Sequence, residues 1–118
     1  MVSPCCGRAV AVSASGDRIV YQGLDEQGVR LYQRPLGQRQ AQPVPGTGDG
    51  RHPFFSPDGE WLGFFAGVDL NKVRFDGGTP LTVVSGLGTN AGAAWAPDNS
   101  IVFATREDPR LYRVSADG

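Results

Sequence analysis

Residues 54–65 read Phe-Phe-Ser-Pro-Asp-Gly-Glu-Trp-Leu-Gly-Phe-Phe, and this stretch decides the fold. Pro57 suits the second position of a tight turn because its φ is fixed, and Asp58 suits the third position. Gly59 supplies the positive φ that lets a right-twisted hairpin close. The residues on both sides of the turn are aromatic or apolar, as strands prefer. The stretch therefore predicts two antiparallel strands joined by a tight turn.

Two further copies of this stretch occur in the chain. Residues 94–103 read Ala-Trp-Ala-Pro-Asp-Asn-Ser-Ile-Val-Phe, and residues 11–21 read Ala-Val-Ser-Ala-Ser-Gly-Asp-Arg-Ile-Val-Tyr. In the copy at 94–103, Asn99 takes the place of the turn glycine, since asparagine tolerates positive φ. The copy at 11–21 keeps Gly16 but lacks the proline and the aspartate, so we expect its turn to be the least rigid. The aligned turn positions are Ser13, Ser56 and Ala96.

A second signature follows each turn and begins at a leucine. Residues 31–37, 70–77 and 111–118 share it, each running from leucine to glycine. The two signatures recur together about every 40 to 45 residues, which is the period of a propeller blade with four short antiparallel strands. We predict first strands at 9–13, 53–56 and 92–96, second strands at 18–22, 61–66 and 101–105, third strands at 29–34, 70–75 and 110–115, and fourth strands at 42–45 and 80–84.

The composition supports an all-β chain and excludes several classes of function. Of 118 residues, 17 are glycine and 9 are proline, an excess that breaks helices and requires many turns. Because 40% of the residues are hydrophobic, we do not expect disorder. A net charge of −1 gives no electrostatic reason to expect a nucleic acid partner. No apolar run is long enough to span a bilayer and no signal peptide is visible, so we expect no membrane insertion.

The repeats resemble those of the TolB-like propellers, a WD-repeat-like family built on Ser-Pro-Asp-Gly blades. The residues that carry the resemblance are 55–59, 95–99 and the Asp-Gly-Gly sequence at 76–78. The resemblance extends over roughly residues 8–118. It implies an all-β propeller fold, and fold alone does not imply function.

A finer resemblance concerns the protein to which such repeats belong. Segments similar to residues 31–36 and 54–61 occur in repeats that follow bacterial serine/threonine kinase domains. This implies a non-catalytic sensor or protein-binding module of a larger bacterial signalling protein, cytoplasmic or periplasmic according to that protein. A protein or peptide partner would bind to loops at one face of the ring. The alternative is the propeller of an enzyme, such as the gating domain of a prolyl-oligopeptidase-like peptidase or a ring-centred lyase.

The chain holds about three blades, which are too few for a closed ring. We assign residues 8–50 to blade 1, residues 51–90 to blade 2, and residues 91–118 to blade 3, which lacks its outer strand. Rings of the family usually have six or more blades, so self-association of two chains as a homodimer would supply six. Residues 1–7 could then act as a closing strand in the partner's third blade. The alternative is that the chain is a fragment of a longer propeller.

The polar residues of the turns are better explained by a structural role than by a catalytic or metal-binding one. We interpret Asp17, Asp58 and Asp98 as turn residues whose carboxylates bond to nearby backbone. Glycoside hydrolysis needs two convergent carboxylates, which turns on separate blades are not expected to supply. No serine lies in a Gly-x-Ser-x-Gly elbow. The sequence therefore predicts no catalytic residue, no cofactor and no metal.

Two other chemistry-bearing features have a structural interpretation and a functional one. His52 precedes an inner strand, so it is either a strand-end residue or a binding residue at the face of the ring. Cys5 and Cys6 are adjacent, a geometry that strains a disulfide, so we expect two free thiols rather than a redox or metal pair. The single histidine cannot complete a zinc site with them.

The glycine-rich segments and the aromatic residues also have a structural interpretation. Residues 45–50 lack the lysine of a phosphate-binding loop and precede no helix, so we interpret them as a flexible link between blades 1 and 2. Residues 84–90 are the equivalent link between blades 2 and 3. Large aromatic residues are predicted to form the core, with a ligand cage as the alternative: Trp61, Phe64, Phe65, Trp95 and Phe103.

Overall fold

A computed structural model of the chain confirms the all-β prediction. It describes residues 3–4, 10–26, 28–35, 37, 40–75, 78–87, 90–105 and 110–117. These residues form three antiparallel sheets, one for each predicted blade, and contain no helix. Accordingly, the described part of the chain has no helix that could cross a membrane.

The strands follow the repeat closely. Blade 1 contains β1 (Ser3–Pro4), β2 (Val10–Val12), β3 (Arg18–Asp25), β4 (Gly28–Pro35) and β5 (Gln42–Pro43). Blade 2 contains β6 (Gly50–Phe55), β7 (Trp61–Ala66), β8 (Asp69–Arg74) and β9 (Leu81–Val84). Blade 3 contains β10 (Asn90–Trp95), β11 (Ser100–Thr105) and β12 (Leu111–Ser115). Within each blade, consecutive strands are hydrogen-bonded neighbours, apart from β1 and β2, which share one edge of β3.

The inner strands bring the blades together. β2 contacts β6, and β6 contacts β10, so the innermost strand of each blade lies next to its counterpart in the following blade. Strands β3, β7 and β11 come next, and the third and fourth strands of the blades lie further out. This radial order places every hairpin turn of the Ser-Pro-Asp-Gly type at the same end of the molecule.

Two apolar clusters fill the spaces between the blades. The cluster between blades 1 and 2 contains six buried residues: Val20, Leu31, Val44, Leu62, Phe64 and Val73. The cluster between blades 2 and 3 contains another six: Phe54, Phe65, Leu70, Ile101, Phe103 and Ala116. Side chains alternate along β7, so Leu62 and Phe64 face blade 1 while Phe65 faces blade 3. Blade 2 is therefore buried on both faces, which explains its high aromatic content.

Hydrogen bonds join the glycine-rich link between blades 1 and 2, which the sequence predicts to be flexible, to the third strand of blade 1. Thr47 is buried, and its hydroxyl donates to the carbonyl of Val44 at 2.7 Å and accepts the Leu31 N–H at 3.2 Å. The Asp49 N–H donates to the carbonyl of Val29 at 2.7 Å. These bonds fasten the link along β4, because a buried backbone needs partners for its polar groups.

The N-terminal segment adds a short strand to blade 1 of its own chain. Ser3 pairs with Leu24, and Pro4 pairs with Gly23, beyond the part of β3 that β2 covers. The remaining residues of this segment, including Cys5 and Cys6, lie outside the described residues. The role of residues 1–7 as a closing strand in a partner stays a prediction.

Candidate functional site between two blades

The three hairpin turns have the backbone conformation that the sequence predicts. Gly16, Gly59 and Asn99 have φ values of 76°, 75° and 67°. In each turn, the N–H of this residue donates to a carbonyl three residues earlier, at 2.8, 3.0 and 3.0 Å respectively. Asparagine thus replaces glycine in blade 3 without a change of conformation, as expected from its tolerance of positive φ.

The turn of blade 2 is held together by a serine and an aspartate. The buried hydroxyl of Ser56 donates to Oδ1 of Asp58 at 2.5 Å and accepts the Trp61 N–H at 3.0 Å. The same carboxylate oxygen accepts the Glu60 N–H at 3.0 Å. The aspartate therefore bonds to local groups, which confirms its interpretation as a turn residue.

Blade 1 builds an equivalent network from different positions. Asp17, two residues beyond the position that corresponds to Asp58, accepts hydrogen bonds from Ser13 at 2.9 Å and Ser15 at 2.6 Å. The Arg18 N–H donates to the Ser13 hydroxyl at 3.2 Å, as the Trp61 N–H does to Ser56. The first turn therefore has two serine–aspartate hydrogen bonds where the turn of blade 2 has one, and its expected lower rigidity stays a prediction.

In blade 3 the serine follows the turn instead of preceding it. Ala96 occupies the usual serine position, and the buried Ser100 supplies the hydroxyl instead, donating to Oδ1 of Asp98 at 2.6 Å. The Ser100 N–H donates to the same oxygen at 3.0 Å. A buried serine bound to a turn aspartate is therefore common to all three blades, although the spacing between them differs.

These hydroxyl bonds hold the pKa of each turn aspartate below its ordinary value, because they favour the charged carboxylate. The largest cause is the hydrogen bond from Ser15 for the pKa of Asp17, from Ser56 for that of Asp58, and from Ser100 for that of Asp98. The three carboxylates are exposed and stay ionised near neutral pH, so they are poorly suited to act as general acids.

A groove of about 350 Å³ lies between the turn ends of blades 2 and 3. Both tryptophans of the chain line it, one from each blade, together with two turn prolines and five polar residues. The lining rings are Trp61, Trp95, Pro57 and Pro97, and the polar side chains on which the site depends are Asp58, Lys72, Asn99 and Asp117.

A chain of polar contacts crosses this groove. The indole N–H of Trp95 donates to Oδ1 of Asn99 at 3.0 Å, and Nδ2 of Asn99 donates to Oδ2 of Asp117 at 3.2 Å. The other oxygen of Asp117 lies 3.8 Å from Nζ of Lys72. That ammonium also lies 4.8 Å from the centre of the Trp61 ring. The two blades are thus joined by a cation, an anion, an amide and two indoles.

A second groove, of about 530 Å³, lies between blades 1 and 2 at the same end of the molecule. Its aromatic element is Phe75, which stacks on Phe55 with ring centres 5.3 Å apart. The guanidinium of Arg18 lies 4.6 Å from the centre of the Phe75 ring. A cation placed over an aromatic ring is therefore present in both inter-blade spaces.

His52 lies within β6 in an unusual conformation. Its φ is 50°, a value that side-chain-bearing residues rarely adopt, and its ring meets that of Phe65 edge-on at 6.3 Å. The equivalent position in blade 3 is Gly92, with a φ of 140°. Pairing with the neighbouring strand shifts register at both places. The role of His52 as a binding residue stays a prediction.

The aromatic residues divide into two groups. Phe64, Phe65 and Phe103 are buried in the inter-blade clusters, as predicted for core residues. Trp61 and Trp95 are half-buried, and each has a part that lines the groove. Among the described residues, no three histidine, cysteine, aspartate or glutamate side chains converge as a metal site requires.

Sequence reasoning missed Lys72, Asn99 and Asp117 as members of one site. The sequence indicates Asn99 only as a turn residue and Asp117 only as part of the second signature at residues 111–118. A usable signal was present, since Lys72 is the one lysine of the chain and stands in a strand signature shared by all three repeats.

Comparison with solved structures finds the same architecture in larger proteins. TolB from Agrobacterium tumefaciens aligns with a TM-score of 0.80 at 22% identity, over 93% of this chain and 43% of that one. TolB from Acinetobacter baumannii aligns with a TM-score of 0.78 at 16% identity, over 96% of this chain and 30% of that one. The fold is that of a partial, TolB-like β-propeller.

Propellers of peptidases are similar as well. The β-propeller domain of the trilobed protease from Pyrococcus furiosus aligns with a TM-score of 0.69 at 10% identity, over 98% of this chain and 39% of that domain. The chain thus spans less than half the length of the propeller structures it matches here. No protein-family model matches the sequence. No curated protein sequence matches it either.

Proposed function

We propose that the chain is a non-catalytic propeller module that binds a protein or peptide partner. The observation that carries this proposal is the groove between blades 2 and 3, where indole and proline rings from two repeats form the walls. Such rings are the usual surfaces for peptide recognition, because they offer contact area at a low cost in conformational entropy. The resemblance to repeats of kinase-associated proteins agrees with this function and suggests a larger bacterial signalling protein as its setting.

The polar groups of the groove favour binding over chemistry. Oδ1 of Asp58 accepts hydrogen bonds from a serine and from the backbone, and its pKa lies below the ordinary value. A carboxylate of this kind remains charged and fixes the local turn. A general acid or base would instead need a pKa close to the working pH and contact with a reacting group.

A specific observation supports a second candidate, the propeller domain of a peptidase. The likeness to the trilobed protease covers nearly the whole chain, although it concerns the fold alone. In that case the propeller would gate access to a catalytic domain and would still carry no reacting group itself. Both candidate functions assign no catalytic residue to this chain. They differ in the larger protein to which the propeller belongs.

The test is an activity assay of the purified chain on peptide, ester and glycoside reporter substrates. We expect the unaltered chain to show no more turnover than the double variant that combines Asp58→Asn and Lys72→Gln. Turnover by the unaltered chain that this double substitution abolishes would overturn the non-catalytic function.

We further propose that self-association completes the ring, since each end of the three-blade unit presents a free sheet face. Leu111 on the outer face of blade 3 is 73% exposed, whereas Leu70, its equivalent in blade 2, is fully buried against blade 3. Val12 on the outer face of blade 1 is 56% exposed, while its equivalents Phe55 and Trp95 pack against a preceding blade. The two free faces thus correspond to the two halves of a blade-to-blade joint.

A joint of this kind is directional. Blade 3 of one chain would pack against blade 1 of the other, as blade 2 packs against blade 3 within the chain. Two such joints related by a two-fold axis close a ring of six blades. Exposed apolar faces favour this association because it removes them from water.

A further inference from the structure

Lys72 lines the groove between blades 2 and 3 and places a cation in it. Its side chain is 12% exposed, and it projects from β8 towards blade 3 beneath the Trp61 ring. Removing an ammonium from water is costly unless hydrogen bonds replace its hydration. An ammonium has three N–H donors, so a buried lysine needs oxygen acceptors close by.

Among the described residues, this ammonium has two contacts inside the groove, and both are weak. Its distance to the Asp117 carboxylate is 3.8 Å, whereas a charge-assisted hydrogen bond is about 2.7 to 2.9 Å long. Its other contact is with the face of the Trp61 ring, which is not a hydrogen bond. Within the part of the chain that the structure describes, the attraction of this cation for a carboxylate is therefore only partly satisfied.

Asp117 stands at the mouth of the groove and can be replaced by another carboxylate. Its side chain is 78% exposed, and an ion pair of this exposure contributes little to stability. Asn99 also bonds to Asp117, so an amide donor and a cation point at the same place from two blades. That place suits the carboxylate of a ligand, and Asp117 occupies it in the structure.

The walls of the groove indicate what should flank that carboxylate. Trp61 and Pro57 form one side and Trp95 and Pro97 the other, so flat apolar rings border the charged position. Proline-rich peptides dock in aromatic grooves of this kind because they are already extended. A volume of about 350 Å³ accommodates a few residues rather than a folded domain.

We propose that this groove binds an acidic, proline-flanked peptide segment, whose aspartate or glutamate carboxylate pairs with Lys72 in place of Asp117. This inference rests on the proposed function and names the class of partner for that module. The neighbouring prolines or aliphatic residues of the peptide lie on Trp61 and Trp95. Asp117 then acts as an internal competitor that weakens binding.

The chain carries its own reporter for the test. Trp61 and Trp95 are its two tryptophans and both line the groove, so intrinsic fluorescence reports on this site. The probes are the capped tripeptides acetyl-Pro-Glu-Pro-amide and acetyl-Pro-Gln-Pro-amide, which differ only in charge. We expect a saturable fluorescence change with the glutamate peptide and binding at least about tenfold weaker with the glutamine peptide.

Three variants assign the effect to the named residues. Lys72→Gln should reduce binding of the glutamate peptide to that of the glutamine peptide, whereas Lys72→Arg should retain it. Asp117→Asn should tighten binding several-fold, because it removes the internal carboxylate. Arg113→Gln, which alters an exposed cation on the opposite face of blade 3, is the control and should have no effect.

The results that overturn the inference are equally specific. Equal binding of the two peptides, no binding of the glutamate peptide, or weaker binding by Asp117→Asn would each contradict it. Because Asp117 is exposed, its variant remains informative even if Lys72→Gln fails to fold. The proposed function fails in a different way, through turnover in the substrate assay, and tight binding of the glutamine peptide would leave that function intact.

Discussion

At the scale of single residues, one glycine allows the aromatic layer between blades 2 and 3 to form. A Cβ atom at Gly63 would overlap the ring of Phe54, which lies on the adjacent strand and is itself packed against Trp95. Many glycines are needed for their backbone conformation, but Gly63 is needed because its missing side chain leaves room for the Phe54 ring. The aromatic content of blade 2 thus depends on one small residue at a fixed place.

We therefore expect Gly63→Ala to destabilise the fold by about 1 to 3 kcal/mol, the usual cost of overfilling a packed core. Gly48→Ala is the matched control, because that glycine has no neighbouring atom within 4 Å of the added Cβ and no positive φ. The two variants should be compared by chemical denaturation. Equal midpoints for both would show that the Phe54 ring moves aside freely.

The serine–aspartate bonds of the turns give stability a dependence on pH. The pKa of the three turn carboxylates is lowered in the folded chain, so their contribution is fully present above the unfolded pKa, about 4. It is lost as the pH falls through the lowered folded pKa values. Thermal midpoints should therefore be level between pH 7 and about 5 and should decline below about pH 4.

The triple variant Asp17→Asn, Asp58→Asn and Asp98→Asn should have a shallower decline in acid, because the groups responsible no longer titrate. Midpoint curves of equal steepness for the triple variant and the unaltered chain would assign the acid sensitivity to other carboxylates.

At the scale of the strand, the sequence predicts a great deal because its repeats impose the same local physics three times. The strands flanking residues 57–59 follow from runs of aromatic and apolar residues and from a turn that only a few residue types can form. The positive φ of Asn99 follows from comparison with Gly59 alone. These features are local, and a repeat supplies an internal check on each of them.

The features that sequence reasoning missed depend on contacts between elements. The sequence predicts a flexible link at residues 45–50 because the segment is rich in glycine. The hydrogen bonds of Thr47 to β4 cannot be inferred from the sequence. In blade 3 the turn serine stands at position 100 instead of position 96. An alignment of the three turns therefore shows only an alanine at the position where the other two have serine. The groove is formed by side chains from two repeats, and neither repeat shows it alone.

At the scale of the whole molecule, the position of each blade in the series decides how its faces are used. Blade 2 has neighbours on both sides, and its aromatic residues are covered by them. Blades 1 and 3 each have one covered face and one free face. Each free face still carries exposed apolar side chains, Val10 and Val12 on blade 1 and Leu111 on blade 3, as expected of surfaces that join further blades.

The directional joint between chains predicts a specific pattern of association. The unaltered chain should have twice its 12.5 kDa mass in light scattering, while Leu111→Asp and Val12→Asp should each give monomers. Each substitution places a charge in both joints of the ring, because every joint uses one face of each type. Val68→Asp, at an exposed valine in the turn between β7 and β8, is the control and should leave the dimer intact.

Mixing the two monomeric variants distinguishes this joint from a symmetric contact. Blade 3 of the Val12→Asp chain and blade 1 of the Leu111→Asp chain are both unaltered, so one joint can form between them and dimers should reappear. A contact between two copies of the same face would respond to only one of the substitutions and would not be restored by mixing. A folded monomer of the unaltered chain at high concentration would contradict self-association altogether and would leave other propeller blades as the partners of both faces.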